Sequence, residues 1–565
     1  TAGAESGFVV ADPLNPDVVY GGNYGGYLSR LDHRTGENRA INVWPDNPMG
    51  AGADVLKYRF QWNFPIFFSP HNPKKLYTAG NHLFATENEG KSWDMISPDL
   101  TTNDKTKQGP SGGPITKDNT SVEYYCTIFT AAESVLEKDL LWTGSDDGLI
   151  HVSKDGGKNW ENVTPGEAGK QMMWNCIETD PFKKGTAYFV GTKYKLDDYA
   201  PYIFKTEDYG KTWKNLTPAG CGITGHTLSV VQDNEVDNLL YLGTETGLYV
   251  STNKGQSWQR WKGLPTMPVQ DLALQTREKD LILGTFGRAA WILDDLEPLR
   301  AWVRQKGAPA QRKLSAFAVP TAYHAIYAES DGIRFQGDAM FKGQNRSRGA
   351  RLSLYVVKDT ADKVLKKEKF LRATVHASNG TVVRKMARRV PEETGLMRWN
   401  WDLRSAGVES PSLEKRERED GSDPWGGPMV EPGTYKIVVT YGPHKDSTTV
   451  RVEDDPRVSS TASDWAAYTT FQKSVQAQTQ RLTTAVEQLR LAKEQMARME
   501  TLLGASSDTA ATKGLKKSVK AAKDSLEVHR LDLFGKENQK GYYEQPDTWS
   551  SQSGTMGGYV WSLRG

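Results

Sequence analysis

The sequence has very little cysteine, and its three cysteines are Cys126, Cys176 and Cys221. An odd count of three cannot form a fully paired disulfide framework in a chain of 565 residues. None of them forms a CxxC pair, which argues against zinc or thioredoxin-like chemistry. We expect small, buried apolar side chains. If one bridge exists, Cys176 and Cys221 are the most plausible pair.

The sequence also lacks a charge excess and a long apolar run. Lys plus Arg number 71 and Asp plus Glu number 69, for a net charge of +2, so nothing points to nucleic acid or an anionic membrane as a partner. No run approaches the roughly 18 apolar residues that a membrane span needs. The nine histidines show no HExxH or related spacing, and we expect no metal and no cofactor.

Glycine and aromatic residues are abundant, with 53 Gly, 17 Trp and 23 Tyr. This composition is typical of a β protein with many turns, and the length predicts two to four domains. The chain begins at Thr1 without a signal sequence. We therefore expect a processed protein or a fragment of a longer one.

An eight-residue motif, [ST]-x-[DN]-x-G-x-[STN]-W, occurs four times, at 86–93, 153–160, 206–213 and 251–258. In each copy the Asx side chain can accept backbone amides of a turn, and the glycine can adopt positive φ. The tryptophan can then fill the layer between neighbouring sheets. We interpret these Asp boxes as structural hairpins and not as metal loops; their key residues are Asn88, Trp93, Asp155, Trp160, Asp208, Trp213, Asn253 and Trp258.

A second recurring unit precedes the boxes and reads as a loop, a strand ending in tyrosine and a glycine turn. It occurs at 12–22, 69–80, 180–191 and 237–244, with degenerate units at 26–36 and 281–294. About six units at intervals of roughly 45–60 residues predict a β-propeller with six to seven blades. A seventh blade could come from residues 60–68, from residues 122–129 or from sequence upstream.

The repeats end near residue 300, and the rest of the chain changes character. We predict the propeller over 1–300, a linker over 301–315 and an immunoglobulin-like β-sandwich over 316–455. Apolar residues seven apart then predict an antiparallel helical hairpin over 456–535, either as a packing face or as a partner-binding coiled coil. Residues 536–565 form a Gly/Ser/aromatic tail that we expect to lie on another domain. The whole is a mainly β protein.

The chain resembles the carboxy-terminal half of bacterial exported proteins of the sortilin/VPS10-like, BNR-repeat "glycosyl hydrolase" kind. The matching segments span nearly the whole chain and include 11–22, 42–50, 57–62, 109–120, 144–148, 194–198, 243–249, 291–299, 401–404 and 432–435. The resemblance implies tandem seven-bladed propellers, with a further propeller upstream. It also implies export to the periplasm, the outer-membrane surface or the exterior, and no settled activity.

Three kinds of enzyme site can be compared with the residues that this sequence offers. A sialidase-like site would need an arginine cluster, for which Arg30, Arg59 and Arg288 are available. A xyloglucanase-like site would need two carboxylates across a cleft, and if it takes one acid from each propeller, this half alone could not catalyse. The serine-hydrolase elbow is missing. The acidic candidates, each of which could instead be a capping or solvated side chain, are Asp146, Asp147, Asp197, Asp198, Asp294 and Asp295.

The segment 109–119 interrupts the blade pattern and could line a propeller face where loops gather. Together with neighbouring aromatic residues it suggests an aromatic and polar ligand site. The alternative is that these aromatics seal the blades. The candidate ligand residues are Trp44, Tyr58, Arg59, Trp62, Lys117 and Asp118.

The sequence therefore favours an exported binding or scaffold protein that engages a polypeptide or glycan partner. A propeller-type glycoside hydrolase and a sortilin-like peptide-binding sorting receptor are the alternatives. A binding role is favoured over catalysis because no catalytic constellation is evident.

Overall fold

The computed structural model describes residues 2–3, 7–112, 115, 117–118, 124–218, 220–325, 346–414, 418 and 420–534. The chain divides into two compact units, Thr1–Lys306 and Gly307–Gly565. The predicted tail at 536–565 lies outside the described residues.

Six antiparallel sheets form the blades of the first unit, and each keeps its strands in chain order. Blade 1 contains β1 (Val9–Asp12), β2 (Asn15–Asn23), β3 (Tyr27–Asp32) and β4 (Asn38–Ala40). Blade 2 contains β5 (Ile66–Phe68), β6 (Leu76–Ala79), β7 (Leu83–Thr86) and β8 (Asp94–Met95). A short hairpin of β9 (Ser111–Gly112) and β10 (Lys117–Asp118) follows.

The remaining blades repeat this plan. Blade 3 contains β11 (Ile128–Glu133), β12 (Leu141–Ser145), β13 (Ile150–Ser153) and β14 (Glu161–Asn162). Blade 4 contains β15 (Met173–Thr179), β16 (Ala187–Lys193), β17 (Asp198–Thr206) and β18 (Lys214–Asn215). Blade 5 contains β19 (Thr227–Gln232), β20 (Leu240–Thr244), β21 (Gly247–Ser251) and β22 (Gln259–Arg260). Blade 6 has three strands, β23 (Val269–Gln275), β24 (Asp280–Thr285) and β25 (Ala290–Leu293), and helix α1 (Glu297–Arg304) follows it.

Two segments that were candidates for a seventh blade belong elsewhere. Residues 60–68 lead into and include β5, the first strand of blade 2. Residues 124–129, the described part of the second segment, lead into β11, the first strand of blade 3. Both suggestions were therefore wrong, because these strands complete the inner edges of blades that the boxes had already marked.

Blades pack face to face, which explains why their middle strands are apolar on both sides. In β20, Leu240 and Leu242 join the core between blades 4 and 5. The intervening Tyr241 points the other way and joins Leu281 in the core between blades 5 and 6. The alternation of side chains along a strand thus supplies two separate cores from one short apolar segment.

The Asp boxes form the hairpins that the motif predicts, between the third and fourth strands of their blades. In the box of blade 4, Asp208 Oδ1 accepts from the amide of Thr212 at 2.9 Å, and Thr206 Oγ1 accepts from the amide of Gly210 at 2.8 Å. The Trp213 indole then donates to Val163 O, which follows the last strand of blade 3, at 2.7 Å. This box is therefore also a link to the preceding blade.

The other boxes repeat these hydrogen bonds with one exception. Trp93 and Trp160 donate to the carbonyls of Ile41 and Ile96 on their preceding blades. The indole nitrogen of Trp258 is buried and has no hydrogen-bond partner among the described residues. The fourth box thus keeps the packing of its tryptophan but not the hydrogen bond.

All three cysteines are free thiols. Cys176 and Cys221 both pack against the core between blades 4 and 5, but they are not bridged. Their suggested pairing was wrong. They serve as small apolar side chains in a core that packing already holds together.

The second unit contains two sheets around one shared core. One sheet pairs β26 (Leu314–Ala316), β28 (Ala350–Val356) and β31 (Gly395–Trp401). The other pairs β27 (Ala322–Tyr323), β33 (His444–Glu453), β32 (Gly433–Tyr441), β29 (Phe370–His376) and β30 (Val382–Arg389). Trp401 is buried in the core against Tyr435. The immunoglobulin-like assignment of this region stays a prediction.

A helical hairpin completes the second unit, as predicted. Helix α2 (Ala462–Ala505) starts at a capping box in which Thr461 and Asp464 exchange side-chain and backbone hydrogen bonds. Helix α3 (Thr509–Phe534) packs back on it, and Lys493 pairs with Glu527 across the two helices at 3.2 Å. No helix in the described part of the chain combines the length and apolar character of a membrane span.

Candidate functional site

Antiparallel strands in chain order place alternate connections of every blade at opposite ends of the propeller. The Asp boxes, between third and fourth strands, lie at one end, which we call the box face. The turns between second and third strands and the connections between blades lie at the other end, the loop face. The loop face carries most of the candidate residues.

A cavity of about 330 Å³ opens on the loop face between blades 3 and 4. Its walls come from the connections that precede β11 and β15, from the turn after β12 and from the hairpin between β16 and β17. The lining residues are Lys107, Tyr125, Asp146, Gln171, Met173, Thr192, Lys193, Tyr194, Lys195 and Leu196. Asp146 is the one carboxylate among these lining residues.

Asp146 lies at the base of this cavity and is buried. Its Oδ1 accepts from the amide of Thr127 at 2.8 Å, and its Oδ2 accepts from Thr127 Oγ1 at 2.8 Å and from Gln61 Nε2 at 3.1 Å. Burial outweighs these hydrogen bonds and raises the pKa of Asp146 to about 7. The carboxyl group can therefore gain or lose a proton near neutral pH.

Asp147, its neighbour, is occupied within the fold. It accepts from Thr102 N at 2.8 Å, from Thr102 Oγ1 at 2.7 Å and from Ser145 Oγ at 2.5 Å. These bonds tie the turn after β12 to the connection between blades 2 and 3. Asp147 therefore positions the turn that carries Asp146.

Three lysines, Lys107, Lys193 and Lys195, line the cavity, and we call them the lysine cluster. Among the described residues, none has a carboxylate oxygen within 4.0 Å. Lys107 Nζ lies 5.3 Å from the Tyr125 ring centroid, and Lys193 Nζ lies 5.1 Å from that of Tyr202. Aromatic rings steady these ammonium groups but do not neutralise their charge.

The strands of the β16–β17 hairpin, with seven and nine residues, are longer than those at the same position in blades 3 and 5, which have four or five. The hairpin exposes Tyr194, Leu196 and Tyr199, with 38%, 50% and 53% of their surface accessible. The Tyr194 ring stacks on His226 of the next connection, with centroids 5.4 Å apart. An apolar, aromatic platform therefore stands beside the cavity.

Asp197 and Asp198 occupy the same hairpin. Asp197 is exposed and adopts a left-handed conformation with φ of 60°. Asp198 accepts from the Tyr202 hydroxyl at 2.5 Å and from the amide of Ala200 at 3.0 Å. Both residues shape the hairpin, and neither lines the cavity.

The aromatic ligand candidates lie on the connection between blades 1 and 2. Trp44 is 45% exposed, and Lys57 Nζ lies 3.4 Å from its ring centroid. Tyr58 packs edge-on against Phe84 of the blade core. Trp62 is 37% exposed. Trp44 and Trp62 thus face solvent, whereas Tyr58 seals a blade.

Arg59 is buried and joins two blade connections. It donates to Asp99 Oδ2 at 2.6 Å and to the carbonyl of Cys126 at 3.1 Å. Arg30 pairs instead with Glu89 at 3.3 Å, and Arg288 is exposed in the turn after β24. The three arginines thus bond to different groups in different blades.

The remaining candidates lie apart from the cavity. Asp295 Oδ1 accepts from the amide of Glu297 at the start of α1, at 3.3 Å, and Asp294 directly precedes it. Lys117 and Asp118 form β10, and their side chains lie outside the described residues. No cluster of three or more His, Cys, Asp or Glu that could hold a metal ion occurs within the described ranges.

The sequence carries no signal for the lysine cluster or for Glu178 of β15. Lys193 and Lys195 stand next to candidates in the segment 194–198, but a lysine at a strand end carries no signal of its own. Their distinction is that three lysines from two separate segments line one cavity, which only the fold reveals.

The blades, their box links and the loop-face cavity define the class: this is an Asp-box β-propeller protein. Residues 148–263 match the family model described as Sortilin-Vps10: "Sortilin, neurotensin receptor 3". The matched stretch runs from the turn after β12 into blade 5. The resemblance to sortilin-like, BNR/Asp-box propellers is therefore confirmed over that stretch.

Comparison with solved structures finds propellers of low sequence identity. An ancestral GH74 enzyme is 15% identical, with a TM-score of 0.32 over 73% of this chain and 48% of that one. The GH74 xyloglucanase from Xanthomonas campestris is 13% identical, with a TM-score of 0.37 over 78% of each chain. YCF48 from Cyanidioschyzon merolae is 13% identical, with a TM-score of 0.33 over 51% of this chain and 82% of that one.

The chain thus spans about half the length of the ancestral GH74 enzyme. Comparison with curated protein sequences finds no match. These structural likenesses concern the propeller fold alone.

Proposed function

We propose that this protein is an exported binding or scaffold protein whose propeller engages a polypeptide partner with its loop face. The observation that supports this most directly is the hairpin of blade 4, which holds Tyr194, Leu196 and Tyr199 in solvent beside an open cavity. Exposed aromatic and aliphatic side chains around a concave site are typical of recognition surfaces. An upstream propeller, as the family resemblance implies, would extend this surface.

A polypeptide fits the site better than a glycan does. Met173 and Leu196 line the cavity together with Tyr125. Methionine and leucine adapt to irregular apolar side chains, whereas a sugar ring needs a flat aromatic face and a set of hydrogen-bonding groups. A peptide-binding role of the sortilin-like kind is consistent with this lining.

Glycoside hydrolysis has less support. The two-carboxylate mechanism needs a pair of acids on either side of the bond that breaks. The cavity has the single carboxylate of Asp146, and Asp147 is held by Thr102 and Ser145. A hydrolase would therefore need a second acid that does not line this cavity.

A random peptide display library, panned against the purified chain, tests the proposal. We expect selected peptides to lose binding to a variant carrying Tyr194→Ser, Leu196→Ser and Tyr199→Ser. Phe182→Ser is the matched control, because Phe182 is 42% exposed on a box-face loop of the same blade. Loss in the control as well would indicate general damage to blade 4.

Two outcomes would count against the proposal. Selected peptides that bind the triple variant and the native protein equally would place the binding surface elsewhere. Failure to select any peptide, combined with specific hits on a glycan array, would transfer the proposal to a glycan partner. Release of sugar from such a glycan would restore the hydrolase alternative.

A further inference from the structure

We propose that the cavity between blades 3 and 4 binds an acidic side chain of the polypeptide partner, held by the lysine cluster that lines the cavity together with Asp146. The inference rests on the proposed function and specifies its ligand chemistry. The expected ligand is one aspartate or glutamate of the partner polypeptide, with apolar residues next to it in the partner's sequence.

The charge of the cavity is the first argument. The three lysines come from two separate segments, Lys107 from the connection between blades 2 and 3 and the other two from the hairpin of blade 4. None of the three has a carboxylate oxygen within 4.0 Å among the described residues, whereas Lys254, for example, pairs with Asp237 at 2.5 Å. Like charges brought together without a counterion repel one another, and an incoming carboxylate relieves that repulsion.

The apolar lining is the second argument. Tyr125, Met173 and Leu196 share the cavity with the lysines. In an apolar lining, water competes poorly for the hydrogen bonds of an ammonium group. A charge-assisted hydrogen bond from a lysine to a carboxylate is therefore stronger there. A carboxylate flanked by apolar side chains matches both parts of the site, whereas a free inorganic anion would match only the charge.

The position of Asp146 is the third argument. An ionised carboxylate at the base of the cavity would repel an acidic ligand, whereas a neutral carboxyl group would not. Burial already favours the neutral form and raises the pKa to about 7, and a bound anion would raise it further.

Other charged groups face Asp146 and set the sign of this linkage. Asp147, the next residue, also raises the pKa of Asp146. An acidic ligand that pairs with the lysine cluster would bring a further negative charge into the cavity and would act in the same direction as Asp147. Tyr125 stays un-ionised, because burial raises the pKa of its hydroxyl group above the ordinary value. Ligand binding therefore draws a proton onto Asp146, and affinity falls as pH rises through about 7.

The composition of peptides selected from a random display library at pH 6.0 tests the lysine cluster. We expect Asp and Glu next to apolar residues to be enriched, and substitution of those acids by amides to weaken binding about tenfold. The Lys193→Gln/Lys195→Gln variant should bind the acidic and amide peptides equally. The matched control is Lys158→Gln/Lys211→Gln, which removes two exposed box-face lysines and should keep the preference.

Calorimetry with a selected acidic peptide tests the role of Asp146. Titrations at pH 7.0 in two buffers of different ionisation enthalpy should show a net uptake of up to about half a proton per peptide, because a carboxyl group with a pKa of about 7 is already half-protonated in the free protein. The Asp146→Asn variant should lose the uptake, and its thermal unfolding should be checked because Asn cannot accept all three hydrogen bonds. If the native protein takes up no proton on binding, the proposed protonation of Asp146 is wrong, whatever the variant shows.

The two proposals can fail separately. If selected peptides need the blade 4 hairpin but carry no acidic preference, the lysine inference is wrong and the proposed function survives. If no peptide is selected, or if hairpin substitutions have no effect, both are wrong.

Discussion

The Arg300 guanidinium donates its Nε hydrogen to Asp233 Oδ2 at 2.8 Å, and both side chains are almost completely buried. Arg300 also donates to Glu235 at 2.6 Å and to Asn234 at 2.8 Å. One side chain of α1 thus donates hydrogen bonds to the side chains of three consecutive residues in the loop between the first two strands of blade 5. The contact anchors the end of the first unit to its fifth blade.

Arg300→Ala should lower the free energy of unfolding by about 3–5 kcal/mol, because it leaves the buried Asp233 carboxylate unpaired. Chemical denaturation checks this value. The control is Arg304→Ala, whose side chain is 42% exposed and bonds to Glu235 and Glu297, and which should cost less than about 1 kcal/mol. Equal costs would show that the buried pair adds nothing beyond a surface ion pair.

The box tryptophans offer a comparison within one protein. Trp213→Phe and Trp258→Phe remove similar volumes, but only Trp213 donates a hydrogen bond to the preceding blade. Trp213→Phe should therefore cost about 1 kcal/mol more, as measured by thermal or chemical unfolding. A larger loss at Trp258 would mean that packing, and not the hydrogen bond to Val163, dominates the link between blades.

The box glycine is required for two reasons, a positive φ and a close approach to the neighbouring blade. At Gly210, φ is 84°, and an added Cβ would lie 2.6 Å from Val163 Cβ. Gly287 has a similar φ of 79° but open space around it. In both alanine variants, left-handed strain should lower the free energy of unfolding by roughly 1–2 kcal/mol. Gly210→Ala should lower it further, because its Cβ would also clash with Val163. Similar unfolding midpoints for the two variants would contradict the proposed steric contribution.

Glu178 on β15 predicts a pH dependence of stability. Burial raises the pKa of its carboxyl group from 4.5 to about 8, although the amide of Gln232 donates to it at 3.0 Å. The folded state then holds a proton that the unfolded state releases above about 4.5, so this contribution to stability declines as pH rises towards and through 8. Unfolding measured from pH 6 to 9 should show the decline.

The Glu178→Gln variant isolates that effect, because it keeps an acceptor for Gln232 and cannot ionise. Its stability should change less with pH over the same range. Glu161→Gln, at an exposed position on β14, should follow the native curve. Parallel curves for the native protein and Glu178→Gln would indicate that Glu178 titrates normally.

Local patterns predicted the blades well. The box motif determines a tight hairpin through its own side chains, as the bonds of Thr206, Asp208 and Thr212 show. The seven-residue spacing in α2 and its capping box likewise act within a few turns of one helix. Such features depend on residues close together in the sequence, so they can be predicted without knowledge of the rest of the fold.

Candidate site residues were harder to interpret, because burial is a collective property. Arg59 looked like a ligand-binding arginine, yet its guanidinium bonds to Asp99 and Cys126 from another blade connection. Asp146 and Asp147 are adjacent in sequence and look alike. The first lines a cavity, and the second is held by Thr102.

The sequence by itself determined an Asp-box propeller followed by further β structure and a helical hairpin, because turns, strands and heptads are set by short-range chemistry. Tertiary structure alone decided that Lys107, Lys193 and Lys195 line the same cavity as Asp146. Those residues lie on separate connections, and only the packing of blade 3 against blade 4 brings them to one site. It also left all three thiols free, although Cys176 and Cys221 pack against the same core between blades 4 and 5.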